Sequence, residues 1–446
     1  MRYLWTTILC LLVPSIAVAQ QLPFGISLPP SLNFATSPSP VGSGARAVGK
    51  ALAFIAVADD ATAASHNPGG LAQLERPEVS LVGSYFVRYE TQDVFRPDTI
   101  VGDQTLQAFD LNYLSAAYPF RLLQRNVFVS VNFQRLFDLQ SATDVASRFR
   151  SIDGIQRVNS RQRGGLYTIS PAVAVQVTPT FSLGAAFNIW PRLFGNGWEQ
   201  DVFVRGDGRV VSGNRIVPFT SQGQIREEYD FQAFNVTTGF LWNINALFSL
   251  GGVIRAPFTA DLNHSHRSVI TVTLLDGSAP VTAGPLRFTE HLDMRFPIAY
   301  GLGASARLSD QLTISLDVSR IHWSDFRLET SRRSEVLLVE NGAPSGKGRA
   351  VLHGGADDAT TVRLGAEYLW VQPKLVVPFR AGVFYDPEPG AGKPDDFYGF
   401  SLGSGLAIDQ FVLDIAYTFR TGTVQSEATN TGVSQHSILA SVIYHF

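Results

Sequence analysis

Residues 411–420 read Phe-Val-Leu-Asp-Ile-Ala-Tyr-Thr-Phe-Arg. Phe411, Leu413, Ile415, Tyr417 and Phe419 fall on one side of an extended chain. Val412, Asp414, Ala416, Thr418 and Arg420 fall on the other. Side chains alternate across a strand, so a two-residue period gives one apolar face and one mixed face. The same alternation recurs in Leu312–Ser319, Val362–Trp370 and Val377–Asp386.

Carried along the chain, this pattern predicts strands near 79–90, 109–120, 127–138, 165–177, 181–191, 231–242, 246–258, 292–308, 312–325, 361–370, 376–386, 398–408, 411–421 and 436–446. The fold class expected is all-β, a 14-stranded antiparallel transmembrane β-barrel with an N-terminal hatch or plug inside the lumen. An even strand count is the habit of closed bacterial barrels. The connections alternate in length. Short turns such as Thr178–Thr180 and Asp409–Gln410 are interleaved with long stretches at 91–108, 139–164, 192–230, 259–291, 326–360, 387–397 and 422–435. Short periplasmic turns and long outer loops produce this sorting in outer-membrane barrels. Trp242 and Trp370 abut short turns, while Trp190 and Trp323 sit where strands enter long loops. Placed this way, the tryptophans are expected to form two interfacial girdles.

Composition agrees. The chain has 446 residues, 45% hydrophobic and only 16% charged, with 31 Phe. That much apolar material excludes disorder. A net charge of -3 gives no basic footprint for nucleic acid. A mean hydropathy of +0.08 is too low for a bundle of membrane helices. A lumen facing one side of each strand and hydrocarbon facing the other would produce this balance.

Residues 1–19 read as a signal peptide: Arg2, an apolar stretch over Ile8–Val18, and Ala17-Val18-Ala19 as a cleavage site. Cys10, the sole cysteine, lies inside it. The mature chain would then carry no disulfide, zinc-thiolate site or cysteine nucleophile. The remaining division is a hatch over 20–78 and a barrel over 79–446. Ala45–Ala58 is rich in small apolar residues. Asp59 or Asp60 is placed to cap a short helix over Ala61–Ser65, and Asn67-Pro68-Gly69 to end it. A barrel of this width is not filled by its own side chains, so a compact segment can fold within it. A periplasmic appendage is the other reading of these residues.

The C-terminal Ser437–Phe446, with Ile438, Ala440, Val442, Tyr444 and terminal Phe446 on one face, resembles the signal read by the barrel-assembly machinery. Gly44-Ala45-Arg46-Ala47-Val48-Gly49, then Ala56–Ala64 and Asn67-Pro68-Gly69-Gly70-Leu71, resemble the N-terminal hatch of the FadL/TodX family. Trp323-Ser324-Asp325-Phe326 and the strands around Arg363–Tyr368 and Arg380–Pro387 are similar to that family's later elements. The family's hatch usually reads Asn-Pro-Ala-Gly, and Gly69 here replaces the Ala.

The resemblance implies an outer-membrane transporter of long-chain fatty acids or other hydrophobic compounds. Its partners would be a fatty-acid-like ligand and outer-membrane lipids. It also implies capture at outer loops and release past a moving hatch. A secretion or surface-attachment subunit and a general diffusion porin are the alternatives.

The long loops 192–230 and 259–291 contain Leu193, Phe194, Trp198, Val202, Phe203 and Val269–Leu275, a candidate capture groove. Arg295, Arg363 and Arg380 are placed on inward faces as candidates for a carboxylate head group. Asp317, Glu367, Asp414 and Arg420 are their candidate partners. A cation facing lipid at mid-membrane costs about 2–4 kcal/mol, which favours the lumen. His264-Ser265-His266 and the Asp pairs at 357–358 and 395–396 fall in proposed loops and are expected to be solvated. Gly403-Ser404-Gly405 lies in a strand and is no nucleotide loop. No catalytic set, cofactor or metal site is expected.

Overall fold

The computed structural model describes residues 42–446, apart from 95–98, 150–152, 213–214, 331–335, 341–342, 349–350, 355, 391–392 and 426–428. The expected signal peptide and the first part of the 20–78 segment lie outside the described residues.

Fourteen described strands form the wall, labelled in chain order. They are β1 Glu78–Val94, β2 Gln104–Leu122, β3 Arg125–Asp138, β4 Gly154–Thr178, β5 Phe181–Trp190, β6 Arg215–Asn243 and β7 Phe248–Arg255. Then come β8 Ala299–Arg307, β9 Leu312–Ile321, β10 Ala359–Gln372, β11 Leu375–Tyr385, β12 Phe397–Ile408, β13 Phe411–Gln425 and β14 Thr429–His445. Each pairs antiparallel with the next, and β14 pairs with β1, Tyr444 opposite Val79, so the sheet closes. Closure leaves no edge strand whose amides lack partners. The alternation of residues 411–420 sits as expected. Phe411, Leu413 and Ile415 are exposed outward, while Asp414 and Ala416 are buried inward.

Two features depart from the sequence reading. Much of the long outer connections is not loop. Gly197–Ser212 pairs with the outer half of β6, and Phe258–Leu274 pairs with both β6 and Val281–Phe296. β6 is 29 residues long, well beyond the 9–11 that cross a membrane. The wall therefore continues outward as a sheet of hairpins.

The expected strand 292–308 is also two strands, ending at Phe296 and restarting at Ala299. Pro297 and Ile298 lie between them outside any strand. A proline cannot donate to the ladder, and the break changes which parity faces inward. Leu292, Met294 and Phe296 are buried before it, Gly301 and Gly303 after it. Ala256-Pro257 makes the equivalent break after β7.

The tryptophans divide. Trp242 and Trp370 are exposed on the outer surface near the short turns, as expected of a girdle. Trp190 and Trp323 are instead buried in the interior, so an outer girdle built from them is corrected. Outward positions on β5 are Leu183, Phe187 and Ile189, and the strand's parity sends Trp190 to the other side.

Candidate ligand path in the barrel lumen

Residues 42–74 lie against the inner face of the wall. They form two short helices, α1 Ala45–Gly49 and α2 Ala63–His66, followed by a 3₁₀ turn over Pro68–Gln73. Ala45, Ala47, Ala53, Phe54, Ala58, Ala61 and Leu71 are fully buried. Ala51 and Leu52 have φ of 56° and 62°, in the left-handed region, and turn the chain away from α1.

So compact a segment leaves many peptide groups unpaired, and the wall supplies the partners. The Asp317 carboxylate on β9 accepts the amides of Phe54 at 2.7 Å and Ile55 at 2.9 Å. Ser315 donates to the Ala53 carbonyl at 2.7 Å, and Ser182 to that of Gly69 at 2.7 Å. Ser401 accepts from the Ala51 amide at 2.8 Å and donates to the Gly49 carbonyl at 3.0 Å. Asn67 donates to the Ile55 carbonyl and to the Phe240 carbonyl of β6, both at 2.8 Å, and accepts from the Gly69 amide.

Such close approach requires wall positions without side chains. A Cβ at Gly239 would collide with the Asn67 side chain, one at Gly184 with the Pro68 carbonyl, and one at Gly365 with the Lys50 carbonyl.

Charge holds one side of the segment. Arg46 binds Asp59 at 2.5 Å and Glu367 at 2.9 Å, with Asp60 at 3.6 Å. Glu367 also takes Arg380 at 2.6 Å, and Arg380 reaches Asp414 at 2.6 Å. Asp60 accepts from the Thr62 amide and hydroxyl, ordering the turn before α2. The helix it precedes is Ala63–His66, starting two residues later than the expected 61–65, and its N-cap is Thr62, not Asp59 or Asp60, because Asp60 commits its carboxylate to the preceding turn. Asn67-Pro68-Gly69 does end that helix and starts the 3₁₀ turn.

Of the three candidate arginines, Arg380 is buried beneath α1 and bonded on two sides. Arg363 faces the lumen, donating to the Asp386 carboxylate at 3.1 Å and the Ala51 carbonyl at 3.3 Å. Arg295 does not face the lumen. It is exposed on the outer surface, with Glu329 at 3.9 Å, because the Pro297 break reverses the parity that would have carried it inward.

A cavity of about 150 Å³ lies between the segment and β1, β10, β11, β13 and β14. Val48, Leu52, Phe86, Phe384 and Leu439 give it apolar walls, and Arg88, Arg363 and Arg420 border it. Each of these cations already holds a carboxylate: Arg88 with Glu90 at 2.7 Å, Arg363 with Asp386, Arg420 with Glu388 at 2.5 Å. The sequence reading missed Arg46, Glu388 and the wall glycines. Gly within a strand pattern was the available sign, since it marks close approach of another backbone.

Nearer the outer end the interior is apolar. Phe137, Trp190, Phe231, Phe258, Phe296 and Trp323 pack as one cluster with Leu262, Leu292 and Met294. The Trp190 indole donates to Asn235 at 3.0 Å. The residues expected to form a capture groove separate here. Trp198 and Val202 are buried, whereas Leu193, Phe203 and Leu275 are exposed. The Phe194 side chain is outside the described residues.

His264 is not a solvated loop residue. It is buried, stacked on Tyr229 at 4.3 Å, and bonded to Glu227 at 2.6 Å and Glu290 at 2.8 Å. Burial alone would lower its pKa, but the two carboxylates outweigh that and hold it at about 9. Asp395 is likewise buried, accepting from the Gln425 amide, and Asp358 pairs with Arg320 at 2.9 Å. Among the described residues no His, Asp and Glu side chains converge as a metal site, and no helix is long and apolar enough to cross a membrane.

A family model described as outer membrane protein transport protein (OMPP1/FadL/TodX) matches residues 42–441. No curated protein matches the sequence. The structure is similar to that of a Pseudomonas aeruginosa FadL homologue, with a TM-score of 0.57 and 14% identity over 92% of this chain and 100% of that one. It is similar to the P. putida toluene transporter TodX at a TM-score of 0.55 and 13% identity, over 91% of this chain and 99% of that one. For the Ralstonia pickettii toluene transporter TbuX the values are 0.51 and 14%, over 91% and 98%. At these identities the likeness is one of fold.

Proposed function

The chain belongs to the FadL/TodX family of outer-membrane transport proteins, and on that premise we propose that it takes up an uncharged hydrophobic compound through the lumen just described. Transport of hydrophobic molecules across the outer membrane is the family's activity, so the family contains channels rather than enzymes. The finer reading is ours. Residues 20–78 act as a hatch, the aromatic mouth receives the compound, and the cavity beside Val48 and Leu52 holds it before the hatch shifts. An insoluble solute gains nothing from a wide aqueous pore and needs apolar surface along its path. The seating of residues 42–74 against the wall supports a closed resting state over a general diffusion porin.

The single observation that carries the choice of an uncharged ligand is the pairing of every cavity arginine with a carboxylate. A free carboxylate entering there must displace Asp386 or Glu388 from its partner and leave a buried charge unpaired. Long-chain fatty acid is the second reading, favoured by the Arg363 guanidinium at the cavity's edge. Equilibrium binding to the purified protein separates the two, using toluene, a long-chain alcohol and the fatty acid of equal length. We expect the alcohol to bind at least as well as the acid, with Arg363→Ala and Arg380→Ala changing neither ligand's affinity selectively. Strong preference for the acid, lost in Arg363→Ala, would overturn the uncharged reading. Leu52→Trp, which fills the cavity, should abolish binding of all three.

A further inference from the structure

The outward face of the hairpin sheet carries arginines that nothing in the transport path uses. On β6 the positions facing out are even-numbered, and no irregularity interrupts its pairing with β5 or the hairpins. Trp242 and Phe234 are exposed on that face, and Arg226 follows on the same parity further from the periplasm. The arginine face is therefore the lipid-facing surface of the barrel continued beyond its apolar band.

Strand register aligns the cations. Arg226, Arg267 and Arg287 stand directly opposite one another on three neighbouring strands. Arg295 stands opposite Arg327. Arg287 and Arg295 share one strand and one face, eight positions apart, roughly 26 Å of extended chain. Arg295 pairs with Thr259, and two positions on Asp261 pairs with Gln232, so the lower pair lies level with Phe234 at the edge of the apolar band.

Like charges directly opposed in a sheet are destabilising unless something neutralises them. Arg226 is neutralised, with Glu199 and Glu228 each at 2.6 Å. Arg267, Arg287 and Arg327 are exposed and have no ion-pair or hydrogen-bond partner among the described residues, and Arg295 has only Glu329 at 3.9 Å. Of the acids on this face between the two levels, Asp261 is held by Arg192 at 2.9 Å, Asp293 has its own partner, Glu228 holds Arg226, and Asp230 stands exposed one strand away on β6.

We propose that Arg295 with Arg327, and Arg267 with Arg287, form a two-level binding strip for the phosphate groups of a phosphorylated glycolipid in the outer leaflet. The guanidinium fork matches phosphate oxygens in pairs, which an ammonium cannot do. The lower pair lies where a lipid's sugar phosphates meet the hydrocarbon edge. The upper pair meets phosphates on the sugars beyond. One molecule then contacts the apolar band with its chains and the arginines with its head, supplying the anions that the sheet lacks.

The test uses the folded full-length protein in detergent micelles, with binding measured for three probes: a bisphosphorylated lipid A, the same lipid dephosphorylated, and inorganic phosphate. The phosphorylated lipid should bind best. Arg295→Gln/Arg327→Gln and Arg267→Gln/Arg287→Gln should each weaken it at least about tenfold, the scale of losing a charge-assisted bidentate contact. The Lys versions should restore only part, and heat-modifiable mobility should show every variant folded. Equal binding of the dephosphorylated lipid, or no loss in either Gln variant, overturns the strip. Full competition by millimolar inorganic phosphate also overturns it, because the site would then take a free ion rather than a lipid head.

Discussion

Two zones of the same lumen are built by opposite means. Around residues 42–74 the wall offers glycine, serine and buried carboxylates, and contact is short polar side chains bonded to the segment's backbone, with glycines letting that backbone come close. At the outer end it offers Phe, Trp and Leu, and contact is side chain against side chain. Apolar packing is non-directional and tolerates rearrangement, whereas a peptide seated on glycines has one fitting position. On the proposed reading, the mouth serves passage and the floor serves gating.

The strongest way to break the contrast is at the mouth. Trp190 is buried at 1% exposure, so Trp190→Ala should cost about 3–5 kcal/mol of barrel stability. Urea unfolding in micelles measures it, and protease access to residues 42–74 should stay unchanged. If that segment becomes sensitive instead, the two zones are one unit.

The floor should behave in reverse. Gly239→Val places a side chain where Asn67 sits and should cost about 1–3 kcal/mol as overpacking. Its larger sign should be functional: the segment is expected to be displaced, and liposomes carrying the variant should admit sugars faster than those carrying the parent protein. A smaller change sharpens the point. Asp317→Asn keeps the shape but makes both amide bonds neutral, weakening them by about 1 kcal/mol each. Partial opening is expected, measured as rare conductance events in planar bilayers. A variant as silent as the parent would mean that Asp317 does not hold the segment.

The wall was legible because alternation at period two runs through most of each strand, broken only locally as at Asn112-Tyr113 and Gly251-Gly252, and lipid on one side enforces it. The interior was less so, for physical reasons that particular residues show. Arg295 was assigned inward by carrying one parity through Pro297, yet a proline break resets the face. Trp190 was read as interfacial from its position along the strand, when its parity relative to Phe187 and Ile189 already placed it inside. Glu388 and Arg46 find their partners 32 and 321 positions away, a pairing that no local spacing encodes. Arg363 and Arg380 could be placed on the correct face, but that parity does not reveal that each carboxylate they need is already supplied.

The last and smallest effect lies just beyond the mouth, where the hairpin sheet turns polar. His264 is stacked on Tyr229, which is itself stacked on Trp198, and faces Glu227, Glu290, His266 and Phe288. Glu227 is held below its ordinary range by the two histidines, although burial opposes this. Because the His264 pKa is raised from 6.5 to about 9, its stabilisation of the hairpin sheet is complete below pH 6.5 and is lost as pH rises through 9. The Glu227 contribution has the opposite sense and is lost in acid, so the sheet should be tightest from about pH 5 to 7. Amide exchange of Phe258–Leu274, followed from pH 6 to 10 and corrected for intrinsic rates, should show protection falling near pH 9. His264→Gln keeps a hydrogen-bonding side chain without the titration and should flatten that profile. An unchanged profile in the variant would remove His264 from the cause and leave the stacked column as packing alone.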